Sequence, residues 1–173
     1  MDGIAIEEIK FENLTYGRLT TEEVLQIIKE FLEEKPNAEY SLVIGTDSHE
    51  KNGSTKTNKS ISLVTAVLVH RRGFGGKYFW NKKHAANIHS LREKIYAETM
   101  TSLDFAATFV PLLKKTLNGR SPNYNLEIHI DVGEHGDTRD MIKEVVGMVT
   151  GSGYVAKTKP DAYGASYVAD KHT

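Results

Sequence analysis

Leu42–His49 reads LVIGTDSH, an apolar run that closes on an aspartate. An apolar run with β-branched residues, followed by a polar loop, is the pattern of a buried strand. Asp47 then stands at the strand's C-terminal end. An ionised carboxylate leaves water only where a cation, a metal or hydrogen-bond donors replace the solvent. Packing does not explain Asp47, and the rest of the chain is read around it.

Toward the N-terminus, Thr20 and Glu23 form a capping box, and Val24, Ile27, Ile28, Phe31 and Leu32 recur at helical spacing until Pro36 and Asn37 end the helix. Glu22, Glu30, Glu33 and Glu34 read as its solvated face. Phe11 to Leu19 reads as an irregular or short extended lead-in. Toward the C-terminus, a polar loop, Glu50 to Ser60, leads to a second strand, Ile61 to His70. A turn with Gly73, Gly75 and Gly76 then leads to a third strand, Lys77 to Trp80. Strand, short glycine turn and strand predict an antiparallel hairpin. The glycines lack the spacing of a phosphate-binding loop.

Asn81 to Ser90 reads as a basic linker into a long helix, Leu91 to Leu117. One stripe of this helix runs Ile95, Glu98, Ser102, Phe105, Phe109, Leu112 and Thr116, which puts Glu98 on the apolar side. Pro111 lies about three turns beyond Glu98 and leaves that placement alone. A fourth strand alternates over Leu126 to Val132, with Ile128, Ile130 and Val132 on one face and Glu127, His129 and Asp131 on the other. Asp137 or Thr138 is the expected cap of the next helix, with Met141, Val145, Val146, Met148 and Val149 buried. Tyr154 to Lys157 is a fifth strand, and Ala162 to Thr173 has modest helical character.

This order predicts an α/β domain built on a mixed five-stranded sheet flanked by helices. The first three strands are antiparallel, and the later two return in parallel through helical crossovers. Residues 1–39 form an N-terminal extension and helix packed on a domain of residues 40–173, within a single domain overall. If the fourth strand lies beside the first, Asp47 and Asp131 share one end of the sheet and Glu98 reaches the same point from the helix.

Three carboxylates brought together raise one another's pKa unless a divalent cation neutralises them. The chain has no cysteine, so any metal is held by oxygen or imidazole, and oxygen ligands favour Mg²⁺ or Mn²⁺, as one or two ions. The formal net charge is −1, yet residues 51–94 hold ten Lys and Arg against one acid. Lysine-rich loops also serve solubility, but beside clustered acids this local charge suits nucleic acid. Two metals in such a cluster activate water and stabilise the leaving oxygen of a phosphodiester. The chain has no apolar run of membrane-spanning length and no signal-peptide pattern in its first ten residues, so it reads as cytoplasmic.

GTDSH on the first strand, SLREKIYAET opening the long helix, HIDVG on the fourth strand and KPDAYGASYVADKHT at the end together resemble the YkuK-like proteins of the ribonuclease H-like superfamily. The resemblance implies the ribonuclease H fold and, through the Holliday-junction resolvases, a metal-dependent nuclease; it names no substrate. By the resemblance, the catalytic and metal-binding acids fall on Asp47, Glu98, Asp131 and, from the final helix, Asp170. Asp161 is the competing fourth position, though after Pro160 it is more simply a helix cap. Ribonuclease H itself has a Gly-Ser pair where this chain has Ser48 and His49. His129 and His172 are candidates for orienting a water or a carboxylate, and Lys82, Lys83 and Arg92 for phosphate contacts. A non-catalytic nucleic-acid-binding or protein-interaction module on the same fold is the rival expectation, and a carboxylate-metal phosphatase acting on nucleotides is a third.

Overall fold

A computed structural model describes residues 9–50, 60–86, 88–119, 123–134 and 136–162. Its core is a seven-stranded sheet built from β1 (Lys10–Asn13), β2 (Gly17–Thr20), β3 (Tyr40–Glu50), β4 (Ser60–Arg71), β5 (Gly76–Ala86), β6 (Tyr124–His129) and β7 (Val155–Lys157), in the spatial order β2-β1-β5-β4-β3-β6-β7. The five expected strands are β3 to β7. The additional two come from the segment read as a lead-in: Phe11 pairs with Leu19 across a tight hairpin, whose turn is fixed by Asn13 Oδ1 accepting from Thr15 N and Tyr16 N. Four-residue strands with a single buried side chain each carry too little alternation to announce themselves.

β3 is the strand at which the antiparallel and parallel parts of the sheet meet. It pairs antiparallel with β4 along its whole length, Tyr40 opposite Arg71 to Glu50 opposite Ile61, and parallel with β6 from Tyr40–Tyr124 to Gly45–His129. β5 continues the antiparallel side from Gly76 to Ala86, so most of the expected basic linker is strand, and Lys82, Lys83 and His84 are sheet residues. A Lys- and His-rich run hides a strand because its edge carries no apolar alternation.

Three helices, α1 (Thr21–Glu34), α2 (Leu91–Leu117) and α3 (Ile142–Gly151), pack on one sheet face. Their buried residues join Leu42, Ile44, Val67, Phe79 and Ile128 in one core. α1 begins at the expected capping box, with both reciprocal bonds at 3.2 Å. Its last turn holds no basic residue. Instead Arg71, buried on β4, donates to the Phe31 carbonyl at 2.6 Å and to Tyr40 Oη at 3.0 Å, while Tyr40 donates to the Lys35 carbonyl at 2.9 Å. Orphan helix carbonyls are thus satisfied from the sheet. α3 departs from expectation at its start: a 3-10 turn, Arg139–Met141, precedes it and the Thr138 side chain makes no capping bond. The opposite sheet face carries a small cluster of Val64, Ala66 and Trp80. Among the described residues no helix is long and apolar enough to cross a membrane.

Candidate functional site

Strand alternation divides the residues of β3 between two faces. Thr46 and Ser48 point toward α2, and Asp47 and His49 point away. β3 runs three residues past Asp47, so the acid sits inside the strand near its end, with only 7% of its surface exposed. The α2 stripe brings Glu98 directly under Ser48. Ser48 Oγ donates to Glu98 Oε1 at 2.5 Å and Ser48 N donates to the same oxygen at 3.1 Å. Ser48 N also reaches Asp47 Oδ1 at 2.9 Å, and His49 Nε2 lies 3.2 Å from Asp47 Oδ2. One turn further along α2, Ser102 Oγ stands 2.8 Å from Thr46 Oγ1, which is 3.0 Å from Thr65 Oγ1.

Glu98 is 3% exposed, and its Oε2 has no hydrogen-bond partner among the described residues. Burial pushes its carboxyl up to about 8. The Ser48 bond opposes that rise, the charges of Asp47 and Asp131 add to it, and Lys94 draws it down. Asp47 and Asp131 therefore act on Glu98 through their charges, while among the described residues the three expected acids are not grouped closely enough to hold one ion as the side chains stand.

Asp131 lies two residues past β6 and is held by Lys159 Nζ at 2.6 Å. The backbone delivers that lysine: Lys159 N donates to the Val132 carbonyl at 2.8 Å. A Cβ on Gly133 would meet Lys159 Cβ at 3.2 Å, so the glycine leaves room for the lysine stem.

The remaining candidates fall in separate places. Lys82 is exposed, and cross-strand pairing sets it in line with Val64 and Asp47 on one face, about 10 Å from the aspartate at two strand spacings. Lys83 stands in line with Leu63 and Ser48 on the other face. Arg92 is paired with Glu144 at 3.0 Å and with Tyr96 Oη at 3.2 Å. His129 is buried on the Asp131 side of its strand, 3.1 Å from Glu127 Oε2. Burial lowers its pKa, against the pull of that carboxylate. Asp161 is exposed after β7, beside a hollow of about 250 Å³ that it shares with His129 and Lys157. Asp170 and His172 lie outside the described residues.

Ser48, His49 and Lys159 were not anticipated from the sequence. Ser48 was legible in principle, since the residue after an outward-facing strand acid must face the helix. Lys159 was not, because nothing local to it points at Asp131.

Glu98 Oε2 is an orphaned buried oxygen beside two further carboxylates, and a hard divalent cation fits that donor set. As the side chains stand, no three His, Asp or Glu among the described residues are grouped closely enough to hold one ion. The Lys159 ammonium supplies the positive charge at Asp131 instead.

A family model described as Ribonuclease H-like matches residues 23–173, leaving β1 and β2 outside the match. The uncharacterized protein YkuK of Bacillus subtilis (strain 168) is 36% identical over 174 residues, covering 94% of this chain and 96% of that protein. No solved structure gives a significant match. With one family model spanning most of the chain and a relative aligned almost end to end, the chain belongs to the ribonuclease H-like family, in its YkuK-like group.

Proposed function

We propose that the protein is a metal-dependent nuclease that hydrolyses phosphodiester bonds of DNA or RNA. The observation that carries this reading is Glu98: a buried carboxyl with an unsatisfied oxygen, within the electrostatic reach of Asp47 and Asp131, is costly to ionise unless a cation completes it. Asp47, Glu98 and Asp131 would hold Mg²⁺ or Mn²⁺, with Asp170 as a fourth acid. When bound, the cation supplies charge that neutralises the carboxylates and polarises water and phosphodiester. The chain's own residues do the positioning. Ser48 fixes one Glu98 oxygen and leaves the other open, His49 restrains Asp47, and exposed Lys82, in line with Asp47, is placed for a phosphate of the bound strand.

The test is incubation of single-stranded, duplex, hybrid and branched substrates with Mn²⁺, comparing wild type with Asp47→Asn. Cleavage by wild type that the substitution abolishes is the expected result. Cleavage unchanged in the variant removes the mechanism. The second reading, a non-catalytic nucleic-acid-binding module, is favoured by the Lys159–Asp131 pair, since an internal cation can stand permanently where a metal would. Wild type that binds these substrates and cuts none of them selects it.

A further inference from the structure

A cavity of about 880 Å³ lies away from the acids, between α2, the β1–β2 hairpin and the end of β5. It exists because β1 leaves the sheet early: its one pairing with β5 is Glu12 opposite Trp80. Continuing that register would set Lys10 opposite Lys82, and like charges directly opposite are unfavourable. The strands part there, and the gap opens onto α2. A volume of this size lies within the range of small-molecule pockets.

The lining has a definite chemistry. Lys10, Arg18, Lys82 and Lys83 stand around the cavity against two acids, Glu12 and Asp104. None of the four cations makes an ion pair among the described residues. The apolar wall is Phe105, half-buried, stacked on Phe109 at 5.0 Å between centroids and met edge-on by Phe11 at 5.8 Å. A partly open ring immobilised by two others is a stacking platform, and cations around it that have no acid partner among the described residues select an anion that carries a flat ring. Asn81 and Thr65 add an amide and a hydroxyl that can read polar edges.

The cavity also has a fixed relation to the acids. Its wall includes Thr65, which is bonded through Thr46 Oγ1 to Ser102. Thr46 precedes Asp47, and Ser102 follows Glu98 by one turn, about 6 Å along α2. The acids and the cavity are separated by that layer of hydroxyls.

We infer that this cavity binds an unpaired nucleotide of a nucleic-acid strand, its base stacked on Phe105 and its flanking phosphates held by Arg18 and Lys83. Resting on the nuclease reading for its direction, this makes the substrate a strand with a single-stranded stretch beside the site of cutting. A base inside a duplex cannot offer its face to Phe105 without being unstacked. The hairpin that closes the cavity lies outside the residues matched to the wider family, so Phe11 and Arg18 are added to a wall that the matched residues otherwise build.

The experiment is fluorescence anisotropy of a labelled oligothymidylate of about 12 nucleotides and of a blunt duplex of equal length, with the full chain in EDTA so that binding is read without cleavage. Wild type should prefer the single strand. Arg18→Glu, Lys83→Glu and Phe105→Leu should each weaken that binding about tenfold, Phe105→Tyr should restore it, and Asp104→Asn should tighten it. Lys143→Glu, on α3, is the control for net charge. Equal losses for Lys143→Glu and Lys83→Glu, or wild-type binding by folded Phe105→Leu, overturn the inference. A protein that binds as described but cuts nothing retains the subsite and loses the nuclease reading. One that cuts normally in all the cavity variants loses the subsite alone.

Discussion

Ser48 Oγ lies 2.5 Å from Glu98 Oε1, joining residues 50 positions apart and tying β3 to the long helix at the acid site. The bond favours the charged carboxylate, so Ser48→Ala should raise the Glu98 pKa beyond its value of about 8. Carbonyl-labelled glutamate titrated by NMR reads this directly; a pKa unchanged or lowered in Ser48→Ala would show that the hydroxyl does not act on Glu98.

Glu98 also predicts how metal-free stability varies with pH. Its ordinary pKa of 4.5 rises to about 8 on folding, so between those values the folded state keeps a proton that the unfolded state has lost. Stability therefore falls as pH rises through that window and levels off above it. Glu98→Gln removes the penalty. At pH 8 in EDTA it should be more stable than wild type by a few kcal/mol, and near pH 4.5 the two should converge. Urea unfolding across this range measures both, and parallel profiles would refute the assignment.

Loading a cation onto the acids requires Glu98 to give up its proton. At pH 7, Mn²⁺ binding should release about one proton, seen as a buffer-dependent heat in titration calorimetry, and affinity should rise about tenfold per pH unit up to pH 8. Proton release near zero would place the metal elsewhere.

Lys159 competes for Asp131. Lys159→Met should tighten Mn²⁺ binding about two- to fivefold, because a half-exposed ion pair opposes the metal only weakly. Weaker binding in the variant would instead make the lysine a support of the site.

Arg71 is 4% exposed and bonds Phe31 O and Tyr40 Oη, with its guanidinium 4.0 Å from the Phe31 ring centroid. Arg71→Met removes the charged donor from Phe31 O, which keeps only Tyr40 Oη at 3.2 Å, and should cost about 1.5 to 3 kcal/mol in denaturant unfolding without altering oligonucleotide affinity. A loss below 1 kcal/mol would mean that water replaces the guanidinium freely.

The residues themselves determined a good deal. Apolar alternation and helical spacing located β3, β4, β6, α1 and α2, and the placement of Glu98 on the α2 stripe led to a buried position. Periodicity is a local property written every two or every three to four residues, so it survives without knowledge of the fold. It failed where burial is slight: in the β1–β2 hairpin, and in the second half of β5, whose Lys and His residues face solvent at the sheet's margin.

Tertiary structure alone decided what each acid touches. That Ser48 is the donor to Glu98, that Lys159 reaches Asp131 across a loop from β7, and that β1 parts from β5 to open a cavity beside α2 are contacts between segments whose sequences carry no sign of one another. Asp47 was conspicuous from the start because an aspartate in an apolar strand conflicts with its surroundings. Its carboxylate is met by its neighbours Ser48 N and His49; what ties that strand end to Glu98, 50 residues on from Ser48, is set by the register of the sheet and the seat of α2 upon it.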